Sequence, residues 1–197
     1  MKVVIIKYNA GNIFSVYCAL KRVGVDAIIT DDKDIIRSAD KVIFPGVGEA
    51  ASTMKYLKEQ GLDELIKTLK QPVLGICIGM QLMCKHSEEG DVDCMGIFDA
   101  EVKKFEPYPE AGVKVPHMGW NVLSTLHTKL FDGLSEGTYV YFVHSYAADV
   151  SNDSIAVSAN GRMFAAALNK NNFYGVQFHP EKSGEVGEVI LRNFMNL

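Results

Sequence analysis

Short apolar runs alternate with helix-spaced apolar positions through the first half of the chain. Residues 3–6 form the run Val3-Val4-Ile5-Ile6, and Ile13, Val16, Tyr17 and Leu20 follow at the spacing of one helix face. A second cycle has apolar runs at 27–29 and 42–44, then a helix face of Met54, Leu57, Leu62, Leu65, Ile66 and Leu69 broken or kinked at Gly61, then a run at 73–76. Strands joined by helical crossovers lie in a parallel sheet covered on both faces, and such strands are continuously apolar, as VVII, VIF and VLGI are. Beyond Gly96 the pattern changes to β-rich runs at 97–105, 120–123, 139–143, 154–159, 163–168 and 173–178, separated by turn signals such as Asn160-Gly161. These read as antiparallel additions, and Val186, Val189, Ile190 and Phe194 predict a closing helix docked on the sheet. The expectation is a single α/β domain over 1–197: an open, mostly parallel sheet flanked by helices, flavodoxin-like, with antiparallel β additions in the second half.

Composition narrows the function classes. With 48% hydrophobic and 22% charged residues, the 197-residue chain has ample material for a core and no disordered or low-complexity bias. Its evenly mixed net charge of −4 argues against the basic surface that nucleic-acid binding needs. The apolar run after Lys2 is far shorter than a secretory h-region, and no stretch approaches the roughly 18 apolar residues of a membrane span, so a cytoplasmic location without a membrane partner is expected. The four cysteines, Cys18, Cys77, Cys84 and Cys94, contain no C-x-x-C pair and are expected as free thiols.

One of those thiols stands where an apolar strand runs into a helix. Gly75 and Gly79 flank Cys77 two residues away on either side. Glycines there permit a sharp bend that projects the central side chain at the carboxyl edge of the sheet, as in a nucleophile elbow. A helix N-terminus favours a thiolate, and the Ile78 N–H is aimed where an oxyanion would form. A small core cysteine is the usual reading of a lone Cys; the two-sided glycine spacing outweighs it here, whereas Cys84, near Met80 and Met83, keeps it. Among the five histidines, His179 is the matching base, because it ends the apolar run 173–178 and precedes Pro180. Glu181 is placed to hold its tautomer, as the acid of a triad does. By spacing alone, H-P-E fits a capping or surface glutamate equally well.

Together, G-x-C-x-G-x-Q over Gly75 to Gln81 and the later H-P-E of His179 to Glu181 resemble the class I (triad-type) glutamine amidotransferases. Within that family, further segments are similar to the glutaminase subunits of imidazole glycerol phosphate synthases. They are Pro45-Gly46-Val47-Gly48, Pro116-His117-Met118-Gly119-Trp120-Asn121, Phe142-Val143-His144-Ser145-Tyr146 and Gln177 through Ser183, so the resemblance spans essentially the whole chain. The opening loop Lys7-Tyr8-Asn9-Ala10-Gly11-Asn12 keeps the family's Tyr and Gly-Asn but carries Lys7 where an aspartate is usual. The resemblance implies L-glutamine as substrate, no cofactor and no metal. It makes Cys77 the nucleophile with His179 and Glu181, and it draws an oxyanion hole from the backbone of Gly46, Val47 and Ile78. It assigns glutamine contacts to Gln81, to Glu89 for the ammonium, and to the backbone of His144, Ser145 and Tyr146 for the carboxylate. Without it, Glu89 reads as a surface charge and His144 as a histidine satisfied within the sheet.

The resemblance also implies a partner. Ammonia is mostly protonated at neutral pH, so a glutaminase is useful only when it delivers ammonia along a dry path, and a glutaminase domain is expected to fill this chain. In the family the acceptor is a separate (β/α)8-barrel cyclase of histidine biosynthesis, bound as a heterodimer, which acts on a phosphorylated aminoimidazole-carboxamide precursor. Accordingly, Gly46-Val47-Gly48 lacks the βαβ context of a dinucleotide-binding loop. His117, Met118, Trp120, Asn121, Tyr141 and Lys182 are the expected interface, with Trp120, the only tryptophan, as a large-area anchor. The glycines of 45–48 let a peptide plane turn, so glutaminase activity is expected to rise when the barrel is loaded.

Rival readings are the glutaminase of another pathway, such as anthranilate or para-aminobenzoate synthesis, against which the HMGWN and PGVG segments argue, and a non-catalytic flavodoxin-like module with an oxidisable Cys77. A zinc site of Cys84, His86 and Cys94 is a third, although the spacing fits no common finger.

Overall fold

The computed structural model describes residues 1–8 and 12–197, so Asn9, Ala10 and Gly11 of the opening loop lie outside the described residues. The first half is a succession of β and α elements: β1 (Val3–Ile6), α1 (Ile13–Arg22), β2 (Ile28–Thr30), α2 (Lys33–Arg37), β3 (Lys41–Phe44), α3 (Ala50–Gln60), α4 (Leu62–Thr68), β4 (Val73–Ile76) and α5 (Ile78–Leu82). The second half adds β5 (His86–Ser87), β6 (Val92–Asp93), β7 (Glu101–Lys104), β8 (His117–Val122), β9 (Tyr139–His144), β10 (Tyr146–Ala148), β11 (Ser154–Asn160), β12 (Arg162–Lys170), β13 (Phe173–Val176) and α6 (Gly184–Met195).

A 7-stranded sheet runs in the order β11-β12-β13-β4-β3-β1-β2. From β13 to β2 every pairing is parallel, and β12 is antiparallel to both β13 and β11. The central strands β1, β3 and β4 are buried on both faces, which is why they are dominated by continuous apolar runs, whereas the edge strand β2 exposes Ile28 and Ile29. Val3 and Ile5 enter one core, where α1 and α6 close the face through Val16, Leu20, Ile190 and Phe194. Val4 and Ile6 enter the other, closed by Ile36, Met54, Leu57, Ile66 and Met80. The expected break at Gly61 separates α3 from α4, with Gly61 at φ 62°. Beside the main sheet stand the β8–β9 hairpin and a 4-stranded sheet, β10-β7-β5-β6. Among the described residues no helix is long and apolar enough to cross a membrane.

Two expectations need correction, and one helix has no counterpart in the sequence pattern. The run 173–178 is not an antiparallel addition: a turn with Asn171 at φ 56° sends the chain back from β12, so β13 lies parallel to β4 and completes the parallel sheet. The run 97–105 becomes a strand only at Glu101, because Ile97 and Phe98 both donate their N–H groups to the Met83 carbonyl instead of to a ladder. Helix α2 was not expected; the Asp32 carboxylate starts it by accepting from the Asp34 and Ile35 N–H groups, and only Ile36 is buried. The site lies outside the carboxyl ends of β3, β4 and β13, where open α/β sheets assemble their chemistry.

Candidate active site

Cys77 sits between β4 and α5 with φ 53° and ψ −111°, a conformation that L residues rarely adopt and that costs on the order of 1–3 kcal/mol. Its N–H donates to the Val176 carbonyl at 2.7 Å, and its own carbonyl accepts from Gln81 N–H at 3.1 Å, so the sheet and the helix over-determine the bend. A Cβ at residue 79 would fall on the Phe44 carbonyl, so only glycine lets α5 pass the end of β3. Helix α5 has 5 residues, too few for a large dipole, and the charge that meets the thiol comes from His179 instead.

His179 follows β13, and its N–H donates to the Tyr141 carbonyl at 2.9 Å. Its Nδ1 lies 2.7 Å from Glu181 Oε1, with both side chains buried. Glu181 Oε1 also accepts from Asn12 Nδ2. Glu181 is therefore neither a helix cap nor a surface charge. Among the described residues the buried His179 Nε2 has no ordinary hydrogen-bond partner, and the Cys77 thiol is its neighbour. Burial works against a charged ring, but the Cys77 thiol and the Glu181 carboxylate outweigh it and carry the His179 pKa up to about 10.

These groups open on a cavity of about 290 Å³ lined by Cys77, His179, Val47, Gly48, Ile78, Gln81, Glu89, Pro116 and residues 143–146. Ile78, the first residue of α5, lines the cavity next to Cys77, and in that position its N–H has no partner within the helix. Gly46 lies behind the wall, where a Cβ would collide with the Ile78 side chain and come 2.6 Å from Tyr8 Oη. Tyr8 Oη donates to the Pro45 carbonyl at 2.5 Å. Glu89 faces the cavity and also accepts from the Ala50 N–H at 2.9 Å; its burial raises its pKa, partly offset by that bond. Gln81 Nε2 donates to the Tyr146 carbonyl and to Gln177 Oε1, each at 2.8 Å.

Gln177 was given no role by the sequence, yet it is fully buried and its Nε2 lies 3.7 Å from Cys77 Sγ. The available signal was a lone amide in the otherwise apolar run Tyr174-Gly175-Val176-Gln177-Phe178. The residues expected at an interface divide. Met118 and Trp120 are 66% and 54% exposed, Trp120 meets Tyr141 edge-on at 6.0 Å, and the Lys182 ammonium lies 5.9 Å from the Tyr141 ring. His117 and Asn121 turn inward instead: His117 Nδ1 is 3.0 Å from His144 Nε2, and Asn121 Nδ2 is 3.1 Å from His117 Nε2. Cys84, His86 and Cys94 do not converge, since Cys84 Sγ faces the Met80 carbonyl, His86 pairs with Asp93 and Asp91, and Cys94 Sγ faces the Val92 carbonyl. Among the described residues no three His, Cys, Asp or Glu side chains are grouped to hold a metal ion.

Residues 5–197 match the family model described as glutamine amidotransferase class-I. A relative named imidazole glycerol phosphate synthase subunit HisH from Bacteroides thetaiotaomicron is 61% identical over 197 residues, covering all of both chains. The protein of the same name from Escherichia coli is 46% identical over 199 residues, again covering all of both. Among solved structures, a glutamine amidotransferase from Thermotoga maritima superposes with a TM-score of 0.66 at 16% identity, over 100% of this chain and 83% of that one, a likeness of fold alone.

Proposed function

The chain belongs to the class I glutamine amidotransferases, and from that premise we propose that it is the glutaminase subunit of an imidazole glycerol phosphate synthase. It hydrolyses L-glutamine to glutamate and ammonia and passes the ammonia to a separate (β/α)8-barrel cyclase, its heterodimer partner in the cytoplasm. The observation that carries the reading is one cavity in which a strained cysteine meets a buried histidine whose Nδ1 is held 2.7 Å from a buried carboxylate.

In this reading the Cys77 thiolate attacks the substrate carboxamide, paired with a protonated His179. The oxygen that becomes negative is met by the Ile78 N–H and by an N–H of the loop at Val47. His179 gives its proton to the leaving amine, ammonia departs, and a thioester remains on Cys77. His179, now neutral, takes a proton from water as it attacks the thioester; the carbon–sulfur bond breaks, the Cys77 thiolate leaves beside the again-protonated His179, and glutamate follows. Glu181 keeps Nδ1 protonated throughout and steadies each charged stage of the ring. Glu89 faces the substrate ammonium, and the backbone at 144–146 faces its carboxylate.

The partner surface in this reading is the outer face of β8. Along that strand the usual order is inverted: Met118 and Trp120 face solvent while His117 and Asn121 turn in. An apolar outer face beside the Tyr141–Lys182 stack suits a docked protein. Cys77→Ala tests the whole reading in the presence of the cyclase. Glutamine-dependent synthesis is expected to vanish while synthesis from ammonium salt persists; surviving glutamine-dependent turnover would remove Cys77 from the mechanism.

A further inference from the structure

The geometry points to His117 and His144 as positioning residues for the reaction at Cys77: two neutral, Nδ1-protonated imidazoles that carry a one-way hydrogen-bond chain from β8 to the amide-bearing wall of the cavity. This rests on the glutaminase reading for its catalytic consequence, not for its chemistry.

Both ends of the chain are set by backbone groups that can play one role only. The Tyr146 carbonyl accepts, so His144 Nδ1, 2.8 Å away, carries a proton. At the far end, Asn121 Oδ1 accepts from the Val122 N–H at 2.8 Å and Asn121 Nδ2 donates to the Ala159 carbonyl at 2.8 Å, which orients the amide. Asn121 Nδ2 is then the group facing His117 Nε2 at 3.1 Å, so that nitrogen is bare and the ring's proton is on Nδ1. His117 Nδ1 donates across 3.0 Å to His144 Nε2, which is bare in turn. A charge on either ring would set two N–H groups against each other, at Asn121 or between the rings. The surroundings agree, because both rings pack against Phe105, Phe142 and Phe164. Burial draws His117 down and His144 to about 3, and the other cationic groups facing His144, His179 and Arg162, further disfavour a charge.

Beyond Tyr146 the chain continues through side-chain amides. Its carbonyl also accepts from Gln81, Gln81 donates to Gln177, and Gln177 Nε2 faces Cys77 Sγ. The oxygen and nitrogen ends of an amide have nearly the same shape, so an amide next to the nucleophile is correctly oriented only when its neighbours have fixed polarity. His144 holds the Tyr146 peptide plane; that carbonyl orients Gln81, and Gln81 orients Gln177. Neither imidazole exchanges a proton with substrate.

The full chain labelled with ¹⁵N-histidine tests the chemistry. At pH about 6, ring-nitrogen spectra are expected to give the neutral Nδ1–H form for both residues; an Nε2–H tautomer or a charged ring at either overturns the proposal. His117→Phe suits the aromatic surroundings and breaks the chain, whereas His117→Asn keeps a donor near the Nδ1 position. With the cyclase present, kcat/KM for glutamine is expected to fall about tenfold in His117→Phe and to stay within about threefold in His117→Asn, at matched thermal stability. Equal values in the two variants would assign the pair to packing and overturn the proposal. Iodoacetamide alkylation of Cys77 is expected to slow in His117→Phe, and an unchanged rate also overturns it. Because alkylation and the spectra need no turnover, a parent chain without glutaminase activity would sink the glutaminase reading alone and leave the relay decided by those two measurements.

Discussion

His179 and His144 line the same cavity and are both buried, yet their surroundings drive them in opposite directions, one up to about 10 and the other down to about 3. Burial opposes charge on each ring. The difference is in the partners: His179 has the Glu181 carboxylate at 2.7 Å and the Cys77 thiol, while His144 has a carbonyl and a second neutral imidazole. One cavity thus has two walls of different character. The wall at the carboxyl edge of the parallel sheet is charged and strained, which suits the proton-moving role proposed for it. The hairpin wall is neutral and hydrogen-bonded, as a group that holds a shape requires.

The contrast breaks most severely at the elbow. Gly79→Ala would drive a Cβ into the Phe44 carbonyl and is expected to destabilise the fold by about 3 kcal/mol and abolish glutaminase activity; a parent-like denaturation midpoint would refute the close-packing account. Glu181→Gln attacks the charge instead of the shape. We expect kcat to fall about a hundredfold or more with the fold retained, and the His179 titration, followed by NMR, to move down from about 10. For a raised histidine pKa, the stabilisation is complete below the unfolded value of about 6.5 and is lost as pH rises toward the folded value. The parent's advantage over Glu181→Gln should therefore shrink from neutral to alkaline pH, and a gap that widened would contradict the pairing. Trp120→Ala tests the outside of the hairpin wall, where half-exposure predicts the smallest change, within about 0.5 kcal/mol of parent stability. Cyclase affinity measured by calorimetry is expected to drop about thirtyfold, and undiminished affinity would take Trp120 out of the interface.

Much of this was legible from pattern. Residues 3–6 and 73–76 coincide with β1 and β4 because burial on both faces leaves an unbroken apolar run. Cys77 and His179 were legible because the spacing of glycine and proline around them encodes backbone bends, whereas Glu181, which by spacing alone fits a cap or surface charge equally well, was picked out by the family resemblance. Helix α2 was not, since a single buried residue has no periodicity and its start depends on one carboxylate. The direction of β13 was hidden because parallel and antiparallel strands buried on both faces look alike in composition; the turn at Asn171 decides it. In β8, alternation puts His117 and Asn121 on one face and Met118 and Trp120 on the other, but which face turns inward depends on what packs behind it. Gln177 escaped because an amide's role comes from its neighbours, and those arrive from distant segments.

The insertion of β13 beside β4 also has a consequence for the order of assembly. Gln177 and Cys77 touch although 100 positions separate them, so the middle of the sheet is completed only after a long-range pairing late in the chain. During synthesis, the elbow can emerge from the ribosome and bury its strand while β13 is still untranslated. Under the proposed mechanism, a nascent or interrupted chain therefore carries the Cys77 thiol without its base, and hydrolytic competence arrives only once folding has closed over the full length.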